Sequence, residues 1–211
     1  LALRQILLKL GLSIALTFSL VGCTALSPPS SAAKPLLAQD QVELGLAYLQ
    51  QNQMPQAKER LLQAVAQAPH WPVALDALAY YWEVIGDAER ARATYVQALK
   101  LAPNDGAALN NYATFLCRTQ QPKLALSLFL KAAGERPYLH TAEAYENAGL
   151  CALTIPDEGK AKIYLLKAVR QDPELAYAWL TLAQLTEKSH PKEAQAYRER
   201  YHQLAVRRNA T

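Results

Sequence analysis

The chain has 211 residues, 51% of them apolar and 19% charged, with a formal net charge of +4 at pH 7. Losing the two cations Arg4 and Lys9 with an N-terminal signal lowers this to +2, too little for the basic stripe of a nucleic-acid binder, so DNA and RNA are disfavoured as partners. Eight glycines, three phenylalanines and no alternating apolar runs argue against a sheet-built domain, and four scattered histidines without HExxH, paired Cys-x-x-Cys or a glycine-rich phosphate loop argue against an enzyme, a metal site, a cofactor or a small-molecule substrate.

In chain order the first expected element is a signal peptide over residues 1–22. Arg4 and Lys9 form a cationic start, and Leu10 to Val21 form an uncharged stretch. That stretch is too short for a transmembrane helix, which needs roughly 20 apolar residues. Leu20-Val21-Gly22-Cys23 resembles the lipobox at which bacterial lipoprotein signals are cut. The resemblance implies that Cys23 becomes the first mature residue, with a diacylglyceryl group on its thiol and an acyl chain such as palmitate on its amine. Each buried methylene is worth about 0.8 kcal/mol, and two chains already anchor stably. Thr24, in place of aspartate, points by the same resemblance to the periplasmic face of the outer membrane. Residues 23–37, centred on Pro28-Pro29-Ser30-Ser31, bury too little apolar surface to order themselves and read as a flexible tether.

From residue 38 onward small residues and prolines recur. Ala57, Ala91, Ala125 and Ala161 form one series, Ala64, Ala98, Ala132 and Ala168 a second, and Pro69, Pro103, Pro137 and Pro173 a third, at intervals of 34, 34 and 36. Frames 38–71, 72–105, 106–139 and 142–175 place Leu44, Leu78, Tyr112 and Ala148 seventh and Gly45, Ala79, Ala113 and Gly149 eighth. Leu75, Leu78, Ala79 and Trp82 follow one face of a first helix, and Ala91, Tyr95 and Ala98 one face of a second. Small residues on both helices let an antiparallel pair approach closely, and each proline ends the second helix. Asn52 to Pro55, Gly86-Asp87, Gln120 to Pro122 and Pro156-Asp157 mark the turns between.

A fifth unit over 176–208 carries Trp179, Leu182 and Ala183. Its last helix is expected to seal the stack, with Ala194, Tyr197, Tyr201 and Leu204 inward and Arg198, Glu199, Arg200, Arg207 and Arg208 outward. The interval resembles the tetratricopeptide repeat (TPR), which implies an all-α, right-handed superhelical solenoid of about five helix-turn-helix repeats over residues 38–208.

The concave face of such a stack is lined by its first helices, and this face is the candidate partner-binding groove. In this register it takes Val42, Leu46 and Leu49 from the first frame, and Asp76, Tyr80, Glu83 and Val84 from the second. Asn110, Thr114 and Arg118 come from the third, and Glu146, Leu150 and Leu153 from the fourth. With Leu44, Tyr48 and Leu61 expected inside, Leu46 and Leu49 are expected to form an exposed apolar patch, a mark of partner sites. Cys117 and Cys151 stand twelfth and tenth in neighbouring frames; a disulfide between them is conceivable, but these unlike places are expected to point the two thiols apart, which favours two small buried thiols over the bridge.

Leu109-Asn110-Asn111-Tyr112-Ala113-Thr114-Phe115-Leu116, Tyr145-Glu146-Asn147-Ala148-Gly149-Leu150 and the two-residue insertion between the third and fourth frames resemble the PilF/PilW family of type IV pilus biogenesis lipoproteins. The resemblance implies an outer-membrane pilotin, a non-enzymatic adaptor that escorts secretin subunits and promotes their multimerisation by protein–protein binding. The family commonly has six repeats where five are read in this chain. The repeats alone fit equally a lipid-anchored scaffold for another cell-envelope assembly machine.

Overall fold

The computed structural model describes residues 36–155 and 157–209, with side chains through 207. The expected signal peptide, Cys23, the tether up to residue 35, Pro156 and the side chain of Arg208 lie outside the described residues. Among the described residues ten helices follow one another: α1 (Leu36–Gln50), α2 (Met54–Gln67), α3 (Pro72–Val84), α4 (Ala88–Leu101), α5 (Gly106–Arg118), α6 (Pro122–Gly134), α7 (Thr141–Ala152), α8 (Glu158–Gln171), α9 (Ala176–Thr186) and α10 (Pro191–Asn209). They pack as five hairpins, α1 with α2 through α9 with α10, and each of α1, α3 and α5 also touches the next first helix. This is an all-helical TPR solenoid of five repeats. α1 begins at Leu36, inside the segment expected to be tether.

Local chemistry sets the ends of these helices. Pro55, Pro72 and Pro122 open α2, α3 and α6, where a missing amide is harmless. The carboxylates of Asp87, Asp105 and Asp157 accept from the amides of Arg90, Ala108 and Lys160 at 3.0, 2.9 and 3.1 Å, capping α4, α5 and α8. Between the helices of the first three hairpins the chain reverses through left-handed residues at one equivalent place, Asn52, Gly86 and Gln120, with φ of 57°, 82° and 59°. Only at Gly86 is that conformation free of a Cβ penalty.

Small residues do what their spacing predicts. Ala57, Ala91, Ala125 and Ala161 are fully buried, as are Ala64, Ala98, Ala132 and Ala168. A Cβ on Gly45 would meet Leu61 Cγ at 2.6 Å, and one on Gly149 would meet Leu165 Cγ at 2.6 Å. Where the eighth position is alanine, in the second and third repeats, the equivalent buried partner is aromatic, Tyr95 or Phe129.

The third and fourth repeats meet differently from the others. α6 ends at Gly134, the Arg136–Pro137 peptide is cis, and the Tyr138 ring lies where a Cβ on Gly106 would be, at 2.4 Å. The longer connection 135–140 thus carries a side chain back across the start of α5.

Three expectations need correction. Leu44 is 44% exposed, whereas Val42 and Leu49 are only 5% and 8% exposed and join the core that runs through α2 and α3. The seventh position is buried by the preceding repeat, as Tyr112 is by Tyr95 with ring centroids 5.7 Å apart. Among the described residues α1 has no preceding repeat, so its seventh position faces outward and the apolar patch expected at Leu46 and Leu49 does not form. Arg200, expected outward, is half-buried and reaches the Pro173 carbonyl at 3.3 Å and Glu174 at 2.9 Å, tying α10 to the start of α9.

Cys117 of α5 and Cys151 of α7 are joined in a disulfide, with an S–S distance of 2.09 Å and Cα atoms 5.9 Å apart. Neighbouring first helices meet through unlike rows, sixth, tenth and thirteenth positions of one against fifth and twelfth of the one before. Asn111 reaches Asp76, Asn147 reaches Asn110 and Arg118 reaches Glu83 along the same rows. Tenth against twelfth is therefore a facing pair, the geometry a disulfide needs.

Candidate partner-binding groove

α1, α3 and α5 stand side by side and leave a cleft of about 300 Å³ along the first three repeats. Val42, Leu46, Asp76, Tyr80, Glu83, Thr114 and Arg118, all expected from spacing, line it together. Val73, Ala77, Tyr95 and Asn111 join them without having been expected. Tyr95 belongs to a second helix and reads as core; its ring is core, but its hydroxyl emerges into the cleft. Asn111 bonds Asp76 across the two helices, and the pair forms part of the wall.

The remaining expected residues lie elsewhere. Leu49 is in the core. Asn110 accepts a bond from Asn147 at 3.1 Å and so belongs to the contact between repeats. Val84 borders a second cleft of about 370 Å³, which shares Tyr80, Glu83 and Arg118 with the first. Leu150 is half-buried on α7. Leu153 lines a separate cleft of about 560 Å³ against α9, with Thr181 and Leu185. Glu146 is half-buried too; burial pushes its carboxyl above the usual range, the Ala178 amide opposes that, and its Oε1 has no hydrogen-bond partner. Seven of the thirteen groove positions therefore form a continuous set on the first three repeats, and three, Glu146, Leu150 and Leu153, lie apart on the fourth.

Polar groups concentrate on one side of the cleft. Glu83 Oε1 accepts from Arg118 at 2.8 Å and its Oε2 accepts from the Tyr95 hydroxyl at 3.0 Å. The glutamate is 13% exposed and the arginine 65%, so the carboxylate forms the floor and the guanidinium the rim. Asp76 Oδ2 accepts from Asn111 at 2.6 Å, while its Oδ1 is sealed from solvent without a partner. Burial pushes the Asp76 carboxyl up to about 7; the Asn111 bond pulls it down, and the nearby charges of Asp105 and Glu83 push it further up. Burial also raises the Tyr95 phenol well above its ordinary value. Val42, Leu46, Val73 and Ala77 add apolar lining beside these polar groups. Among the described residues no group of three His, Cys, Asp or Glu side chains could hold a metal, and no helix is long and apolar enough to cross a membrane.

The tetratricopeptide-repeat family matches residues 84–140 and again 142–175. An uncharacterised protein of Haemophilus influenzae is 36% identical over 123 residues, covering 58% of this chain and 69% of that protein. The type IV pilus assembly protein PilF of Pseudomonas aeruginosa is 30% identical over 147 residues, covering 70% of this chain but 58% of that relative's length. The solved structure of Pseudomonas aeruginosa PilF superposes with a TM-score of 0.76 at 27% identity, over 81% of this chain and 78% of that one. PilW, described as a widely conserved type IV pilus biogenesis factor, superposes with a TM-score of 0.73 at 23% identity, over 80% and 78%, a likeness of fold.

Proposed function

Since the chain belongs to the PilF/PilW-like family of TPR proteins, we propose that it is an adaptor of type IV pilus biogenesis that works by gripping another polypeptide. In this reading it is a pilotin: Cys23 carries the lipid that holds it to the periplasmic face of the outer membrane, and the cleft across the first three repeats takes a segment of a secretin subunit. The observation that carries the reading is the convergence of seven residues, expected from repeat spacing alone, on one continuous cleft. Anchoring concentrates partner at the membrane, so a cleft of modest affinity suffices to direct assembly.

The test is the level of heat-resistant secretin multimers in a deletion strain. Loss of multimers on deletion, restored by the wild-type gene and not by Leu46→Glu or Tyr80→Glu proteins that keep their helical circular dichroism, is the expected result. Normal multimers in the deletion strain discard the pilotin role, and full restoration by both variants discards the cleft. Mass spectrometry of the mature N-terminus tests the anchor separately: an unmodified Cys23 thiol on an uncut chain removes it.

A further inference from the structure

Tyr95, Asn111, Thr114 and Arg118 each already donate one bond beside the floor of the cleft, while a carboxyl oxygen is left over. The Tyr95 hydroxyl donates to Glu83, the Asn111 amide to Asp76, and the Thr114 hydroxyl to the Asn110 carbonyl at 2.9 Å. Arg118 is held by Glu83 at the rim. Two carboxyl groups, Asp76 and Glu83, thus meet a single guanidinium, and Asp76 Oδ1 has no partner at all. Buried polar atoms are nearly always paired, and an orphan beside a cleft marks what the cleft lacks. A second carbonyl or carboxylate would add another acceptor to this floor. A donor-rich cation would complete it.

We propose that the occupant of this cleft is an apolar segment of a partner protein that presents a lysine or arginine side chain to Asp76 and Glu83. The apolar lining fits such a group: Val42, Leu46 and Val73 cover the aliphatic stem of a long cationic side chain while its head reaches the carboxylates. The proposal rests on the cleft being the partner site and names the chemistry it selects.

It also makes recognition depend on pH. The groups that face Asp76 are Glu83 on its own helix, Asp105 at the start of α5, Arg118 from the end of α5 and the Tyr95 phenol from α4; α1 contributes only the uncharged Val42 and Leu46. Two acids and burial hold the Asp76 proton up to about pH 7. An incoming cation favours the ionised form, so binding releases that proton below pH 7 and tightens as pH rises towards 8.

The experiment titrates the full chain in detergent with three peptides, acetyl-Ala-Leu-X-Leu-Ala-amide, where X is lysine, norleucine or glutamate, followed by anisotropy of the same neutral dye. Near pH 8 the lysine peptide should bind at least about tenfold tighter than the norleucine peptide, with the glutamate peptide weakest. Between pH 5.5 and 8 the affinity of the lysine peptide should rise about tenfold, and that of the norleucine peptide should not. Asp76→Asn, and separately Glu83→Gln, should bring the lysine and norleucine peptides within about twofold of each other. Equal affinities for lysine and norleucine in the wild type, or tightest binding of glutamate, would overturn the cation while leaving a cleft that binds. No binding of any peptide overturns the proposal as well, whereas the secretin multimers of Leu46→Glu and Tyr80→Glu cells report on the partner site independently.

Discussion

Asp76 has the ordinary carboxylate value of 3.8 in an unfolded chain and about 7 in the native one, with burial as the leading cause. The native state therefore keeps its proton through a range in which the unfolded state has released it. The contribution of Asp76 to stability is greatest below about pH 4, falls as pH rises to about 7, and stays at the lower level above. Replacing Asp76 with asparagine keeps the shape and removes the ionisation. Thermal melts should show Asp76→Asn more stable than wild type by on the order of 2–4 kcal/mol at pH 8, with the difference vanishing towards pH 4. An equal effect at both pH values would mean that the side chain acts through packing alone. Spacing identifies Asp76 as a groove residue because the fifth position of a first helix faces the concave side. Its burial is not legible in the same way, since it depends on how neighbouring helices close around it, as Asn111 of α5 does by its bond to the carboxyl.

At the scale of helices, periodicity gives all ten elements, because alanines, caps and prolines each act within one turn of the residue that carries them. How neighbouring helices meet depends on rotation about their axes, which no single helix records. For this reason the tenth and twelfth positions look mismatched in sequence and prove to be facing partners in space. The exposure of α1 is misread for a related cause: the frame is the same as in α3, α5 and α7, but its neighbour differs. The Cys117–Cys151 bridge closes a loop of sequence separation 34, so replacing both cysteines with alanine should cost about 2–4 kcal/mol. Equilibrium denaturation with and without reductant measures this directly. Reductant should destabilise the wild type and leave the double variant unchanged, and an equal response of both proteins would show that the bridge contributes nothing.

In a stack whose units touch only their neighbours, stability is a sum of local terms, and opening begins at the ends. α1 presents Leu36, Leu37 and Leu44 outward, and the end of α10 holds to the body through Leu204 and the Arg200 and Arg207 contacts to Glu174. Hydrogen exchange should therefore be fastest in α1 and the last turns of α10. It should be slowest in α5 and α7, and adding reductant should narrow the contrast; uniform protection along the chain would contradict a repeat-by-repeat fold. The solenoid and the first three repeats of the groove are legible from residue types because each repeat states the same rule. The separate cleft around Leu153 is not, because it arises where the fourth and fifth repeats depart from that rule.

The bridge between α5 and α7 also has a mechanical meaning. The cleft spans α1, α3 and α5, so the covalent link sits at its inner border and rivets the third repeat to the fourth. In the proposed reading, a pull on a segment held in the cleft strains the unbridged junctions of the first three repeats before the covalently tied junction of the third with the fourth.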